Sequence, residues 1–113
     1  MIDPKLMAAL LDSMKDPVLF ADMNHRILYM NKAAIAHYEE GRRLIGRSLL
    51  DCHEERSRRD IIEILAEMEA GLDERLIADN EKHRIYMRAV RDETGRVLGY
   101  YERYEPSVRP KGT

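Results

Sequence analysis

The residues of this sequence with the greatest capacity for chemistry stand together at Cys52 and His53. A thiolate and an imidazole can ligate a soft metal ion or haem iron, and a thiol beside a base can act as a nucleophile. Side chains at adjacent positions diverge, however, and the spacing offers no third group to orient the imidazole. A metal site needs more ligands, and Cys52 is the single cysteine. We therefore interpret the pair as a buried cysteine beside a hydrogen-bonded histidine, and we expect no enzyme.

The size and composition of the chain are typical of one globular domain. It has 113 residues, of which 44% are hydrophobic and 35% are charged. The net charge is -2 and the arginines alternate with acids, so nothing indicates nucleic-acid binding. No apolar run is long enough for a membrane span, and no signal-peptide pattern is present. One cysteine excludes an internal disulfide and fits a reducing compartment, so we predict a cytoplasmic location.

An amphipathic helix is predicted for the first fifteen residues. Asp3 followed by Pro4 is a helix start, because Asp caps free N–H groups and Pro tolerates the first helical position. One apolar stripe then recurs at helical spacing and needs a partner, so we predict a dimer interface there. Its residues are Leu6, Met7, Leu10, Leu11 and Met14.

The middle of the chain predicts a β-hairpin followed by helices. Two short apolar runs, 17–21 and 26–30, flank a turn in which Asn24 suits a left-handed conformation. Asn31 can cap a short helix, residues 42–53 predict turns, and a longer helix is expected from a capping box at 57–60 to Gly71.

The last third of the chain predicts three antiparallel strands, at 74–78, 83–91 and 97–104. The order of elements indicates an α+β fold, not a parallel α/β fold. Apolar side chains occupy both registers of the strands, and an antiparallel sheet usually leaves one face to water. We therefore expect helices over one face, and the N-terminal helix or a second subunit over the other.

Three segments carry a family resemblance: DPVLFADMNHRILYMNKAA near the start, IGRS at 45–48, and RDETGRVLGYYERYE near the end. With the order of elements, they resemble a PAS domain, which would occupy residues 16–105 and leave 106–113 as a flexible tail. The resemblance implies a five-stranded antiparallel sheet with helices packed on one face and a small cavity. It also implies a sensory or protein-interaction module that holds haem, flavin, a carboxylic acid or nothing, and that often acts as a dimer.

The same resemblance disfavours the family's two best-known cofactors. Oxygen-sensing members place a haem-ligating histidine in a motif similar to residues 56–60, where Arg59 stands here. Light-sensing members use a cysteine within an Asn-Cys-Arg-Phe-Leu-Gln-like run, whereas Cys52 lies between Asp51 and His53. Haem and flavin are therefore disfavoured, and the ligand stays unidentified.

The six tyrosines and seven methionines suit an adaptable cavity or a subunit interface. The residues predicted to line a ligand cavity are Tyr29, Tyr38, Cys52, His53, Met87 and Tyr101. His25 and His83 fall in a turn and at a strand start, positions that are usually solvated.

The favoured hypothesis is a ligand-responsive sensor that homodimerises through its N-terminal helix and the outer sheet face. Two alternatives stay open: an interaction module with a fully packed interior, and a metal- or haem-linked redox sensor that uses Cys52 and His53. Two prolines and a glycine after residue 105 argue against a helical signalling linker. Output is therefore expected through a separate partner protein or an output region outside this sequence.

Overall fold

The computed structural model describes residues 3–108, which form a five-stranded antiparallel sheet with helices. The helices are α1 (Pro4–Asp12), α2 (Lys32–His37) and α3 (Glu55–Glu69), with single 3-10 turns at Gly41–Leu44 and Leu49–Cys52. The strands are β1 (Val18–Asp22), β2 (Ile27–Met30), β3 (Glu74–Asp79), β4 (His83–Arg91) and β5 (Val97–Pro106). Their order in the sheet is β2-β1-β5-β4-β3. The predicted α+β class and the N-terminal helix are confirmed.

Strand β5 lies at the centre of the sheet and divides its side chains between two faces. The buried side chains of Tyr100, Glu102 and Tyr104 alternate with half-buried Tyr101 and Arg103, as the period of two in a strand requires. We call the first side the inner face. Ala21 and Leu19 of β1 stand opposite Tyr100 and Glu102 in the register, and a single core forms between this face, α2 and α3.

The outer face is covered in part by its own charged and aromatic side chains. The Arg103 guanidinium donates hydrogen bonds to the carboxylates of Glu74 at 3.0 Å and Glu105 at 2.8 Å. It also lies 4.2 Å from the centre of the Tyr86 ring. These contacts let long side chains shield apolar ring surface without an added layer of protein.

Helix α1 is attached to the domain near its C-terminal end. The Tyr29 hydroxyl and the Lys32 N–H both donate to Asp12 Oδ1, at 3.0 Å each. Asn31 Nδ2 donates to the Leu11 carbonyl at 3.0 Å. No residue of α1 is buried, so the predicted apolar stripe remains largely open in one copy of the chain.

The ends of α3 confirm one sequence signal and correct another. Gly71 has φ 122, and the N–H groups of Gly71 and Leu72 bond the carbonyls of Met68 and Glu67, as a glycine C-cap requires. The predicted capping box at Ser57 is wrong, because α3 begins at Glu55, with Glu54 as its N-cap. Ser57 therefore lies inside the first turns of the helix.

The β1–β2 turn also differs from its prediction. His25, not Asn24, takes the left-handed conformation, with φ 62. Its ring is buried and bonds the Tyr100 hydroxyl at 2.8 Å, so the expectation of a solvated histidine was wrong. Burial lowers the pKa of His25, and the nearby Asp22 partly opposes that effect.

No helix within residues 3–108 has the length and apolarity needed to cross a membrane. Strand β5 runs to Pro106, and residues 109–113 of the predicted flexible tail lie outside the described part of the chain, as do residues 1 and 2 of the predicted helix.

Candidate functional site

A cavity of about 610 Å³ lies between α3 and the inner face of the sheet. Most of its wall is apolar, and it is formed by residues from all five strands, both 3-10 turns and α3, together with Tyr38 directly after α2. The main apolar wall residues are Leu19, Ile27, Leu44, Leu49, Ile61 and Ile64. Volumes of this order are typical of sites for small organic molecules.

Glu102 is the most deeply buried ionisable residue in this wall. Its side chain is 5% exposed, and its Oε1 has no hydrogen-bond partner. The strand alternation explains its position, because Glu102 stands opposite Leu19 of β1 and Met87 of β4 on the inner face. Burial raises the pKa of Glu102, while a positive charge on His53 and a hydrogen bond from Tyr38 act in the opposite direction.

Two tyrosine hydroxyls face each other beside this carboxyl. Tyr38, directly after α2, and Tyr104 of β5 share a hydrogen bond of 2.5 Å. Burial raises the pKa of both phenols, so both stay protonated across the physiological range. The rings of His37 and His83 pack against Tyr104 at 4.9 and 5.3 Å between ring centres. The tyrosine pair is therefore held in place by an aromatic cluster.

Cys52 and His53 both lie in the wall of the cavity, but the surroundings of Cys52 differ from the predicted ones. Cys52 is exposed, which corrects the prediction of a buried cysteine, because it ends a surface 3-10 turn. Partial desolvation and the charges of Glu40 and Asp51 raise the pKa of its thiol, which disfavours a thiolate. His53 Nδ1 lies 2.9 Å from the Leu49 carbonyl, a contact that fixes the ring.

Neither residue belongs to a metal-binding cluster in the described chain. Within residues 3–108, no three His, Cys, Asp or Glu side chains are grouped so that they could hold a metal ion. Arg59, at the position that the family resemblance gives to a haem ligand, is exposed on α3 and does not line the cavity.

Charged residues surround the mouth of the cavity, between α3 and β3. Glu67 of α3 and Arg75 of β3 form an ion pair of 2.6 Å across it, and both side chains are about half exposed. Asp60 and Glu63 also line the cavity from α3. An exposed ion pair of this kind contributes little stability, so it can open without a large cost.

Three of the predicted cavity residues lie elsewhere. Tyr29 reaches α1 through its bond to Asp12, and Tyr101 belongs to the outer face, where it stands opposite Phe20. Met87 is fully buried in the core but does not line the cavity. Sequence reasoning also missed Glu102 and Tyr104, although their spacing from Tyr100 along β5 places all three on one face.

Comparisons with known proteins agree with this architecture. A family model described as the PAS domain matches residues 7–105. No curated protein matches the chain significantly. Among solved structures, the C-terminal domain of a Streptococcus mutans protein has a TM-score of 0.78 at 16% identity, covering 93% of this chain and 85% of that one.

Two further structures are similar to the chain. The PAS domain of BvgS from Bordetella pertussis has a TM-score of 0.65 at 16% identity, covering 95% of this chain and 87% of its own. The Aer2 receptor of Vibrio cholerae, described as a dual PAS-haem oxygen sensor, has a TM-score of 0.57 at 17% identity, covering 82% and 95%. At such identities the likeness shows the fold alone.

Proposed function

The chain belongs to the PAS domain family of sensory signal-transduction modules, and from that premise we propose that it senses a small molecule held between α3 and the sheet. The observation that carries this proposal is the cavity of about 610 Å³ with Glu102 buried in its wall and Oε1 unpartnered. A buried polar atom without a partner destabilises a fold, and such atoms are rare in native proteins. A ligand that bonds Oε1 would remove this cost.

A short path leads from the cavity wall to α1. Leu19 lines the cavity, and the preceding residue, Val18, donates its N–H to Asn31 Oδ1 at 3.0 Å. Asn31 Nδ2 in turn donates to the carbonyl of Leu11 at the end of α1. We propose that occupation of the cavity shifts β1 and that Asn31 transmits this shift to α1, which would make α1 the output element.

We also propose that α1 forms the contact between two copies of the chain. Leu6, Met7, Leu10 and Met14 are 59%, 51%, 65% and 46% exposed, while the half-buried Leu11 continues their stripe. Asp12 faces the domain, and at 100° per residue Leu10 points to the opposite side of the helix. A contiguous apolar stripe of this kind marks an interaction site, and a second α1 offers the matching surface.

The sensing proposal is tested by filling the cavity. Ile64 lines it, so Ile64→Trp should occupy its volume, whereas Ile62→Trp adds the same ring to the exposed side of α3. We expect native mass spectrometry of the purified protein to show a small-molecule adduct that Ile64→Trp loses and Ile62→Trp keeps. Absence of any adduct, with no thermal stabilisation of the unsubstituted chain by a small-molecule library, would contradict sensing. A Soret band would instead support the haem-linked alternative.

The dimer proposal is tested on α1 itself. Leu10→Lys places a charge in the stripe, and Ala9→Lys places the same charge on another side of the same helix. Burying an unpaired charge at an interface should weaken self-association about tenfold or more for Leu10→Lys, with little change for Ala9→Lys. Sedimentation velocity over a concentration series measures both. A monomeric unsubstituted chain, or equal effects of the two changes, would argue against this interface. A cytoplasmic location and output through a separate partner remain predictions.

A further inference from the structure

We infer that the cavity's ligand is a small cationic amine, with its ammonium group on Glu102 and its apolar body against the leucine and isoleucine wall. This inference rests on the proposed sensing function and adds the chemical class of the ligand. Three features of the cavity carry it: the unpartnered carboxyl oxygen, the balance of charges along the lining, and the apolar remainder of the wall.

The first feature is that Glu102 Oε1 needs a hydrogen-bond donor from outside the chain. Tyr38 hydrogen-bonds the Glu102 carboxyl and shares one bond with Tyr104, and His53 Nδ1 contacts the Leu49 carbonyl, yet Oε1 itself has no partner. An ionised carboxylate only accepts hydrogen bonds, and its strongest partner is a charged N–H group. An ammonium head satisfies both the charge and the hydrogen-bond requirement of this oxygen.

The second feature is the sign of the charge around the cavity. Four acidic residues and one arginine line it among the described residues, namely Asp60, Glu63, Glu67, Glu102 and Arg75. The charge of Arg75 is engaged by Glu67 at 2.6 Å, and His53 is the remaining base in the lining. A ligand carboxylate would meet unfavourable charge both at the mouth and at Glu102, whereas a cation is attracted at both.

The third feature is the wall beyond Glu102. Leu19 and Leu49 are almost completely buried, and Ile61 and Ile64 of α3 face them across the cavity. Each methylene of a ligand that leaves water for such a wall makes binding more favourable. A head group alone would leave most of the volume unfilled. The ligand therefore combines one cationic nitrogen with an aliphatic or aromatic body.

This arrangement also sets how binding depends on pH. Burial raises the pKa of Glu102, so its carboxyl keeps a proton to higher pH than an exposed glutamate does. An ammonium ion prefers the carboxylate, and its binding must release that proton. Affinity should therefore rise as the pH increases through the pKa of Glu102. Other titratable groups around this carboxyl are Tyr38, Tyr100, Tyr104, Cys52 and His53, of which the tyrosines stay neutral.

The experiment compares three ligands that share a phenylethyl group and differ in their polar head group. Isothermal titration calorimetry of the full chain uses 2-phenylethylamine, 2-phenylethanol and 3-phenylpropionate, with hexylamine as an aliphatic amine. We expect the two amines to bind, the alcohol to bind at least about tenfold more weakly, and the acid not to bind. Glu102→Gln should weaken the amines about tenfold or more and leave the alcohol unchanged. Glu69→Gln, at an exposed position of α3 that does not line the cavity, should change amine affinity less than about threefold.

The outcomes separate this inference from the sensing proposal. Binding of the alcohol or the acid as tightly as the amines would overturn the amine class and leave sensing in place. Equal amine affinity in Glu102→Gln, in a variant with an unchanged circular dichroism spectrum, would likewise overturn it. If no probe binds and Ile64→Trp also has no effect on the protein's adduct, then the sensing proposal fails too.

Discussion

Two buried polar side chains of this domain, Asn31 and Glu102, differ in how completely their polar atoms are hydrogen-bonded. Asn31 is fully buried and uses its whole amide: Oδ1 accepts from the N–H groups of Val18 and Ala34, and Nδ2 donates to the carbonyls of Leu11 and Asp16. Glu102 is almost as deeply buried, yet its Oε1 has no partner. One side chain has complete local compensation for its burial, and the other does not.

The difference distinguishes a structural residue from a candidate binding residue. Asn31 joins four segments of the chain, and each bond it makes replaces one that the unfolded chain makes with water. Glu102 is compensated only in part, because Tyr38 hydrogen-bonds its carboxyl while Oε1 has no partner, and replacing an incompletely compensated buried charge by an apolar group is often stabilising. Departures from full polar satisfaction are expected where a fold serves a function.

The largest effect is expected for Asn31→Leu. The change keeps a similar volume, removes four hydrogen bonds and leaves the Val18 and Ala34 N–H groups without their acceptor. At about 1 kcal/mol per bond, the free energy of unfolding should fall by about 3 kcal/mol or more. Urea denaturation followed by circular dichroism measures this change.

The control for this prediction is Asn24→Leu. Asn24 is exposed in the β1–β2 turn, so the same chemical change there should alter the free energy of unfolding by less than about 0.5 kcal/mol. Similar losses for the two variants would break the comparison, because Asn31 would then be no more important than a surface amide.

The next largest effect, of opposite sign, is expected for Glu102→Gln. Because burial raises the pKa of Glu102 above its ordinary 4.5, the folded protein holds this proton more tightly than the unfolded chain does. The contribution to stability is therefore fully present below pH 4.5 and is lost as the pH rises through the pKa of the folded state. Glutamine does not ionise, so the variant should be more stable than the unsubstituted chain at neutral pH, by about 1–3 kcal/mol.

The stability advantage of Glu102→Gln should shrink as the pH is lowered towards 4.5. Chemical denaturation at several pH values measures it, with Glu63→Gln as the exposed control on α3. A loss of stability in Glu102→Gln at neutral pH would mean that the carboxylate has a stabilising partner, and the contrast with Asn31 would disappear.

The sequence predicted Asn31 but not Glu102, and the reason is physical. An asparagine directly before a helical pattern is a local signal, because the cap bonds an N–H only three residues away. The burial of Glu102 depends instead on the placement of β5 between β4 and β1 in the sheet, and β1 is distant from both in the sequence. Glu102 also stands beside Arg103 in the sequence, and such a charged pair resembles a solvated edge strand, whereas the central position of β5 in the sheet is a property of the whole topology.

Several other sequence predictions divide in the same way: those with local causes agree with the structure, and those that depend on long-range contacts do not. The bounds of β4, the cap at Gly71 and the position of α1 depend on neighbouring residues, and they were predicted closely. The assignment of Tyr29 and Tyr101 to the cavity was wrong because composition does not reveal which face of a strand points inward. His25 was expected in water because its partner, Tyr100, is 75 residues away.

The smallest effect is expected for a third buried polar group, the pair of His25 and Tyr100. Its burial is compensated less completely than that of Asn31 and more completely than that of Glu102. His25 and Tyr100 share one hydrogen bond of 2.8 Å in the core. Tyr100→Phe removes that bond but keeps the ring, so the free energy of unfolding should fall by about 1 kcal/mol. Tyr101→Phe makes the same change one residue later on the outer face and should cost less than about 0.5 kcal/mol.

The pH dependence of the free energy of unfolding tests whether His25 is buried as a neutral ring. Since burial lowers the pKa of His25 below 6.5, the unfolded chain binds the proton more readily, and stability is lost as the pH falls below 6.5. His25→Asn, which tolerates the left-handed backbone, should remove this loss, whereas His37→Asn on the exposed end of α2 should keep it. Denaturation at pH 5 and pH 7 decides the question. If His25→Asn keeps the same loss, then the histidine is not buried as a neutral ring, and its bond to Tyr100 does not compensate its burial.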